Sequence, residues 1–254
     1  MNPTFLQISD LEFSIGEASI LNGISCQVPR GETVGIIGPN GSGKTTLFNC
    51  ISGFNLPSRG RIIFDATDIT AVSPHTRALH GLGRVFQNSG VFRELSVEEN
   101  MLTALESRDS LIRKFFPARS HRAQRRQLAR EFLSEINLDA KSSHKAGSLS
   151  GGQLRLLEIV RTLAFGAEVF LLDEPTAGVS PRMKEDVAGL IAKLQQRGKT
   201  ILVIEHDINF IQKFCQRILV LDGGRVVMDG PPDTVRSDRR LQEIYFGNKT
   251  QSES

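Results

Sequence analysis

The sequence predicts an α/β fold on the basis of three observations. Residues 33–37 form a short apolar run typical of a buried strand, and a glycine-rich loop joins this run to a helical pattern over residues 44–52. Residues 1–30 instead favour antiparallel strands, because glycines interrupt them at intervals. Residues 89–165 favour a helical insertion. The chain is therefore expected to combine a strand–loop–helix core with an antiparallel part and an inserted helical part.

The glycine-rich loop is the most specific motif of the chain. It matches the pattern G-x-x-x-x-G-K-[ST] with Gly38, Pro39, Asn40, Gly41, Ser42, Gly43, Lys44 and Thr45. Glycines let backbone N–H groups turn inward around a phosphate, and the helix N-terminus adds a positive dipole. Lys44 supplies a positive charge for the β- and γ-phosphates, Thr45 offers a hydroxyl to Mg²⁺, and Thr46 completes the predicted binding segment. We therefore expect the chain to bind a nucleoside triphosphate.

Two carboxylates follow another apolar run, at residues 169–172. Ligands of open α/β sheets bind at the C-terminal ends of strands, which is where Asp173 and Glu174 are expected to lie. Asp173 fits the carboxylate that organises Mg²⁺, and Glu174, which points the other way, fits the general base for a water that attacks the γ-phosphate. Taken alone, the segment also fits a strand that stops at a solvated acidic turn. Its combination with the phosphate loop favours catalysis.

A third polar segment follows the apolar run at residues 200–204. His206, between Glu205 and Asp207, is a candidate to hold the γ-phosphate and the attacking water. A lone histidine after a strand is more often structural, but its place after the second carboxylate-bearing strand favours the catalytic interpretation. Gln87 lies at another strand end. Considered alone, it is weak evidence for a functional role, because a polar residue at a strand end needs no special role.

A serine and two glycines precede a helix that is predicted over residues 153–165. Ser150 is a favourable N-cap, and the apolar residues after it recur with helical spacing. A helix start that contains Gly151 and Gly152, followed by Gln153, can approach an anion closely. The alternative interpretation is an ordinary capped helix start.

Together these residues resemble the ATP-binding cassette (ABC) ATPases, whose motifs occur in the same order over nearly the whole chain. The matching residues are 38–45, Gln87, 149–153, Asp173-Glu174 and His206. The resemblance implies an α/β fold with a P-loop NTPase (RecA-like) core, an N-terminal antiparallel β subdomain and an inserted α-helical subdomain. It also implies ATP as substrate, Gln87 beside Thr45 and Asp173 around Mg²⁺, and Glu174 and His206 as catalytic residues.

The resemblance further implies a head-to-tail dimer, formed by two copies of this chain or by one copy and a homologous ATPase subunit. Residues 150–153 of one subunit would close on the γ-phosphate held by Lys44 of the other. The chain departs from the family pattern at the adenine contact, where Ile15 replaces the usual aromatic residue. Phe13 is the alternative contact, because same-face spacing lets it substitute. Ser180 stands where an aspartate is common in the loop that crosses the dimer.

Several segments resemble the ATP-binding subunits of branched-chain amino acid importers more closely, with urea and short-chain amide importers as near relatives. These segments are Leu47-Phe48-Asn49, Gly53-Phe54, Asp68-Ile69-Thr70, residues 84–87 and residues 204–207. The lipopolysaccharide-export ATPase is also similar, notably in residues 92–100 and in Tyr245-Phe246-Gly247. The resemblance therefore implies the motor subunit of an importer for branched-chain amino acids or a related small polar solute. Lipid export is the alternative.

Composition and length narrow the class of protein. A chain of 254 residues can bury a large core, and no segment approaches the roughly 18 to 20 consecutive apolar residues of a membrane span. No secretory signal opens the chain, and Cys26, Cys50 and Cys215 are too irregularly spaced for a disulfide frame or a zinc site. These features indicate a reducing, cytoplasmic setting. The resemblance implies a peripheral protein at the cytoplasmic face of the inner membrane, with permease subunits as partners and a solute-binding protein acting through them.

We expect one ABC ATPase domain over residues 1–254. Its parts are the nucleotide-binding core with the β subdomain (1–88 and 166–230), the helical insertion (89–165) and a C-terminal extension (231–254). A soluble ABC ATPase that acts on ribosomes or DNA is disfavoured, because such relatives usually carry two cassettes or a long coiled coil. A P-loop kinase would not need the motif that surrounds Ser150.

Two further segments are candidate partner sites. Seven Lys or Arg residues and no acid lie between Leu111 and Arg130, which fits a solvated helix face or a surface for anionic lipid headgroups or an acidic partner loop. Nucleic acid is not expected, because the segment does not match a known nucleic-acid-binding fold. Val91, Phe92 and Leu95 are predicted to be partly exposed in the isolated subunit and to be covered by a permease helix in the transporter. The alternative is that they pack the helical insertion.

Overall fold

The computed structural model describes residues 4–86, 90–109 and 120–241. Its strands are β1 (Thr4–Ile15), β2 (Ala18–Pro29), β3 (Thr33–Ile37), β4 (Arg59–Phe64), β5 (Thr67–Asp68), β6 (Leu82–Val85), β7 (Val169–Asp173), β8 (Thr200–Ile204), β9 (Arg217–Asp222) and β10 (Arg225–Gly230). Its α-helices are α1 (Lys44–Ser52), α2 (Pro74–Leu79), α3 (Val97–Asp109), α4 (Ser120–Ser134), α5 (Gly151–Phe165), α6 (Pro181–Gln196), α7 (Ile208–Phe214) and α8 (Pro232–Ser237). The chain divides into two compact units, Met1–Arg77 with Gln195–Ser254, and Ala78–Leu194.

The first unit contains an antiparallel sheet with the strand order β2–β1–β4–β5. Gly16 and Glu17 form the turn between β1 and β2, as the sequence predicts. Gly23 instead lies inside β2, where the pairing with β1 shifts between Leu11 and Glu12, so that it is the extra residue of a bulge. The sheet also extends beyond the predicted antiparallel part, because β4 pairs with β1 and β5 pairs with β4.

The first unit also contains a parallel group in which β3 lies between β8 and β9. Every residue of β3 and β8 is buried, which explains their continuous apolar sequence. β10 returns antiparallel to β9 through the predicted turn at Gly223-Gly224. Helix α1 ends at Gly53, whose φ of 85° lets its N–H bond to carbonyls of the last turn. The predicted strands and the predicted helix around the phosphate loop are confirmed.

The second unit combines two parallel strands with helices. β6 pairs with β7, and α3, α4 and α5 pack against one another. Helix α5 buries Leu156, Leu157, Val160 and Leu163, which are the apolar positions expected from their helical spacing. Burial extends around the helix, because every residue from 154 to 160 is buried. The described residues between 90 and 165 lie mainly in helices and turns, and Ser96 forms an isolated β-bridge with Lys145.

The three cysteines are buried free thiols. Burial raises the pKa of Cys26 and of Cys215 to about 12, and that of Cys50 to about 11. Since the thiolate is the reactive form, these side chains behave as small apolar residues of the core.

Candidate active site

The phosphate loop runs from the end of β3 into α1 along a path that two glycines make possible. A Cβ atom on Gly38 would lie 2.0 Å from the carbonyl oxygen of Leu221, and a Cβ atom on Gly43 would lie 2.8 Å from Cδ2 of Leu21. Both glycines also have positive φ angles, of 150° and 100°. A side chain at either position would therefore displace the loop.

Lys44 is buried at the first position of α1. Its Nζ donates hydrogen bonds to the carbonyl oxygens of Gly38 and Pro39, at 2.8 and 2.9 Å. The N-cap residue Gly43 gives the first turn no side-chain hydrogen bond, and the buried Ser42 Oγ finds no hydrogen-bond partner within the described part of the chain. An ammonium held over the loop, an uncapped helix N-terminus and an unsatisfied hydroxyl all fit an anionic phosphate.

The phosphate loop and His206 leave the same edge of the parallel strands. β3 and β8 are neighbours in register, with Ile36 opposite Ile204. The segments that follow these two strands therefore begin side by side in the first unit. Ligands of open α/β sheets bind at this edge, so the placement is compatible with the predicted role of His206.

The turn at His206 is held by its two acidic neighbours. Glu205 is buried, and its carboxylate accepts a hydrogen bond from the His206 backbone N–H at 3.3 Å. Asp207 is the N-cap of α7 and accepts hydrogen bonds from the backbone N–H groups of Asn209 and Phe210 at 3.1 and 3.3 Å. The side chain of His206, between these two hydrogen-bonded residues, is exposed. Asp207 thus orders the turn through helix capping.

In the second unit, β7 ends at the buried residue Asp173. Arg84, on the neighbouring strand β6, places Nη2 at 3.1 Å from Oδ2 of Asp173, and both side chains are 6% exposed. Burial raises the pKa of Asp173, and the guanidinium of Arg84 opposes that rise. The sequence analysis did not select Arg84 as a site residue. An arginine inside an otherwise apolar strand is the signal that points to such a buried pair.

Glu174 lies in the turn directly after β7, and its side chain is partly buried. Its φ of 48° is in the left-handed region, which a non-glycine residue adopts at a cost of about 1 kcal/mol or more. Its carbonyl oxygen accepts a hydrogen bond from the N–H of Ala177 at 3.1 Å, which closes the turn. Backbone strain of this kind is concentrated at functional sites, so it supports the candidate role of Glu174.

The predicted helix start at Ser150 is a complete capping box. The backbone N–H of Gln153 donates to Ser150 Oγ at 3.3 Å, and the backbone N–H of Ser150 donates to Gln153 Oε1 at 3.2 Å. The two glycines differ in their surroundings. Gly151 has open space where a Cβ atom would stand, whereas a Cβ atom on Gly152 would lie 1.8 Å from Cγ of Met183. Gly152 is therefore required by packing against α6, and Gly151 leaves the helix start accessible.

Gln87, the predicted Mg²⁺ ligand, lies outside the described residues, but the chain on both sides of it is held by α5. Oε1 of Glu158 accepts hydrogen bonds from the backbone N–H groups of Phe86 at 3.2 Å and Gly90 at 3.1 Å. Glu158 is buried, and burial raises its pKa against the effect of these hydrogen bonds. Glu158 is not among the predicted site residues, although a charge within an apolar helical pattern is a detectable signal.

Two arginines of α5 complete this contact. Arg155 donates to the carbonyl oxygen of Phe86, and Nη1 of Arg161 donates to the carbonyl oxygen of Gly90 at 2.8 Å. The Arg161 guanidinium also lies over the ring of Phe92, 5.0 Å from its centroid. The helix that begins after Ser150 thus reaches the exposed aromatic side chain at position 92.

The prediction that Val91, Phe92 and Leu95 are all partly exposed is wrong for Val91, which is buried. Phe92 is 53% exposed and Leu95 is partly exposed. The buried side chain of Asn100 accepts from the Phe92 N–H and donates to the Phe92 carbonyl oxygen, both at 2.9 Å. The backbone at position 92 is therefore fixed, with the side chain before it in the core and its own side chain at the surface.

The two candidate adenine contacts lie near the tip of the β1–β2 hairpin. Ile15 is the last residue of β1 and is 64% exposed. Phe13 is partly buried and stands opposite Leu21 of β2. Both side chains retain surface that a ligand could contact.

The predicted basic segment is partly neutralised by acids that the segment itself does not contain. Arg125 pairs with Glu106 at 3.7 Å, and Arg130 pairs with Glu98 at 3.6 Å, both across from α4 to α3. Arg122 and Arg126 are exposed. Residues 113, 114 and 119 of this segment, and residues 245–247, lie outside the described part of the chain.

The candidate Mg²⁺ ligands have suitable chemistry. Thr45 presents an exposed hydroxyl at the start of α1, and Asp173 presents a carboxylate at the end of β7. Mg²⁺ prefers such oxygen ligands, so both residues fit the ion. Among the residues that the structure describes, no helix is both long enough and apolar enough to cross a membrane.

Comparisons with known proteins place this geometry in context. Residues 21–177 match the family model described as ABC transporter. The chain is 34% identical over 253 residues to the high-affinity branched-chain amino acid transport ATP-binding protein BraF of Pseudomonas aeruginosa, which covers 97% of this chain and 99% of BraF. It is 37% identical over 246 residues to the lipopolysaccharide export system ATP-binding protein LptB of Acidithiobacillus ferridurans, with 97% and 98% covered.

Solved structures agree with the fold. The ADP conformation of MJ1267, an ATP-binding cassette of an ABC transporter, matches with a TM-score of 0.85 and 32% identity over 97% of this chain and 100% of that chain. A dimeric post-hydrolysis state of the ATP-binding cassette MJ0796, bound to ADP and Pi, matches with a TM-score of 0.77 and 28% identity over 89% and 98% of the two chains. These similarities extend over nearly the full length of the proteins compared.

Proposed function

The chain belongs to the ABC transporter family and is an ATPase coupled to transport, and we propose that it is the motor subunit of an importer for branched-chain amino acids or a related small polar solute. The observation that carries this proposal is the similarity to BraF over almost all of both chains. The phosphate loop, with the Lys44 ammonium held over it, supports the nucleotide-binding half of the proposal.

We assign the binding of ATP to residues 38–46, with Lys44 on the β- and γ-phosphates. Phe13 or Ile15 contacts the adenine. Thr45, Gln87 and Asp173 would hold Mg²⁺, which neutralises charge on the phosphates when it is bound.

The hydrolytic step is assigned to Glu174 and His206. Glu174 accepts a proton from the water that attacks the γ-phosphate, and His206 holds that phosphate and the water in place. The strained turn at Glu174 and the capped turn after His206 support these roles, because both fix the direction in which a catalytic side chain leaves the backbone.

The active form proposed here is a head-to-tail dimer of ATPase subunits. Residues 150–153 of one subunit would contact the γ-phosphate bound by the other, with the capping box fixing the helix start that approaches the anion. The dimeric MJ0796 cassette bound to ADP and Pi supports the dimeric state. Whether the second subunit is another copy of this chain or a homologous subunit depends on the transporter.

The membrane partner would be a pair of permease subunits, with a solute-binding protein acting through them. We assign the cytoplasmic face of the inner membrane as the location and the surface around Phe92 as the permease contact. Phe92 supports this because it is a large exposed apolar side chain beside the charged Arg161, and exposed apolar surface next to polar groups is typical of partner sites.

The alternative is lipid export, which is favoured by the 37% identity to LptB. The two transport functions differ in the direction of movement and in the molecule moved. The intact transporter, purified through this subunit and reconstituted in vesicles with ATP on the subunit's side, separates them. An importer moves radiolabelled leucine toward the side with ATP, whereas movement of lipopolysaccharide away from that side would establish export and contradict the importer proposal.

A further inference from the structure

A hydrogen-bonded group behind the phosphate loop joins three distant parts of the first unit. Gly224, in the turn between β9 and β10, donates its N–H to the carbonyl oxygen of Ser42 at 3.2 Å. Asn22 on β2 donates its backbone N–H to the carbonyl oxygen of Gly224 at 2.8 Å, and its side-chain Nδ2 to the carbonyl oxygen of Gly223 at 2.8 Å. β2 therefore holds the turn, and the turn holds the phosphate loop.

The same three parts are closely packed. A Cβ atom on Gly43 would lie 3.1 Å from the carbonyl oxygen of Ile20, besides meeting the buried side chain of Leu21. A Cβ atom on Gly224 would lie 2.3 Å from that carbonyl oxygen and 2.8 Å from Nδ2 of Asn22. The backbone of β2 from Ile20 to Asn22 is thus a wall against which both the loop and the turn rest.

The amide of Asn22 is oriented from the side of the β1–β2 hairpin. Ser19 donates its hydroxyl hydrogen to Oδ1 of Asn22, which leaves the Nδ2 group directed at Gly223. Ser19 stands opposite Ser14 of β1, and Ser14 directly precedes the exposed Ile15. One short stretch of β2 therefore connects the hairpin tip with the support of the phosphate loop.

We propose that Asn22 is a positioning residue for nucleotide binding. It fixes the Gly223-Gly224 turn against the phosphate loop and so sets the distance between that loop and the hairpin that carries Phe13 and Ile15. This inference rests on the proposed function, in which the loop binds the phosphates and the hairpin contacts the base.

The energetic consequence follows from preorganisation. A loop that is held in its binding conformation before the nucleotide arrives has less conformational freedom to lose on binding. Asn22 touches neither the attacking water nor the γ-phosphate in this proposal. Loss of its support should therefore weaken ground-state binding and raise KM, with little change in kcat at saturating ATP.

The test uses the full chain and the substitution Asn22→Asp. Aspartate has the same shape and still accepts from Ser19, but it cannot donate to the Gly223 carbonyl oxygen and places a negative charge against it. We expect Kd for ATP and for ADP, measured by titration calorimetry, to rise about tenfold, with KM rising in parallel. Ser25→Ala is the matched control on the same strand, because Ser25 bonds only to Asp10 among its described hydrogen-bond partners, at 2.8 and 3.2 Å. It should leave Kd unchanged.

A second variant keeps the test decisive if Asn22→Asp does not fold. Ser19→Ala frees the Asn22 amide without adding charge, and it should raise Kd by about threefold. Because Ser19 acts through Asn22, the double variant Ser19→Ala/Asn22→Asp should bind ATP no more weakly than Asn22→Asp alone.

Three results would overturn the proposed role of Asn22. An unchanged Kd in Asn22→Asp would overturn the inference, and so would a fall in kcat at unchanged KM, which indicates a smaller folded fraction. If Asn22→Asp did not fold, an unchanged Kd in Ser19→Ala would overturn it. Failure of the unmodified chain to bind ATP would instead contradict the assignment of the phosphate loop and, with it, the proposed function.

Discussion

The guanidinium of Arg84 lies 3.1 Å from the carboxylate of Asp173, and both side chains are buried in the second unit. The carboxylate assigned to Mg²⁺ thus has a positively charged partner on the neighbouring strand. A buried ion pair is held together less by net attraction than by the cost of leaving either charge alone. Arg84 therefore allows a charged carboxylate to be buried at the end of β7.

Replacing Arg84 by methionine should leave the Asp173 carboxylate buried without its partner. We expect the free energy of unfolding to fall by about 3 kcal/mol, which urea denaturation would measure. Adding Asp173→Asn should recover most of the loss, because no unpaired charge then remains. Arg59→Met is the control, since Arg59 pairs with Glu12 at the exposed surface. A double variant that is less stable than Arg84→Met would show that the pair is not coupled as described.

Phe92→Glu should impair assembly with the permease and leave ATP binding by the free subunit intact. A carboxylate at position 92 would lie beside the Arg161 guanidinium, but an ion pair gains little once both charges are desolvated in an apolar contact, so co-purification of the membrane subunits should be weakened. Leu128→Glu, at a 38% exposed position of α4, is the matched control and should still assemble. If Phe92→Glu instead lowered the urea midpoint of the isolated chain and assembled normally, Phe92 would be a packing residue of the helical insertion.

Ser150→Arg should place a bulky charge where the γ-phosphate bound by the other subunit is expected. Each subunit should still bind ATP through its own Lys44, but the dimer should not close. The head-to-tail arrangement makes a specific prediction for a mixed dimer of Ser150→Arg and Lys44→Ala subunits. One of its composite sites receives both substitutions and the other receives neither, so about half of the sites should remain active. Loss of both sites would contradict the arrangement, because that is the result expected if residues 150–153 act on the phosphate of their own subunit. Two active sites would contradict it as well, since the site that receives both substitutions should be inactive.

The local features of the site could be predicted from the sequence because short-range rules govern them. The phosphate loop, the capping box at Ser150 and the turn after β9 each depend on residues within a few positions of one another. The buried strands β3 and β8 were equally clear, since a strand that is covered on both faces needs a continuous apolar sequence.

The missed features depend on contacts between distant residues. Val91 is buried and Phe92 is exposed because Asn100, eight positions away, fixes the backbone between them. The basic segment is less positive than its own sequence suggests, since the acid that pairs with Arg125 lies on α3. A charge inside an apolar strand or helix signals that it is paired, but no local pattern reveals which distant partner it meets, so the partners of Arg84 and Glu158 emerged only from the three-dimensional structure.

The rate of ATP hydrolysis by Glu174→Gln tests the central assignment most directly. Glutamine keeps the size of the side chain but cannot accept the proton of the attacking water, and loss of a general base typically lowers the rate by about 10²–10⁴. We expect turnover in the assembled transporter to fall by that factor, while ATP binding persists and an ATP-loaded dimer accumulates. Near-normal turnover by Glu174→Gln would contradict the assignment of Glu174 as the catalytic base.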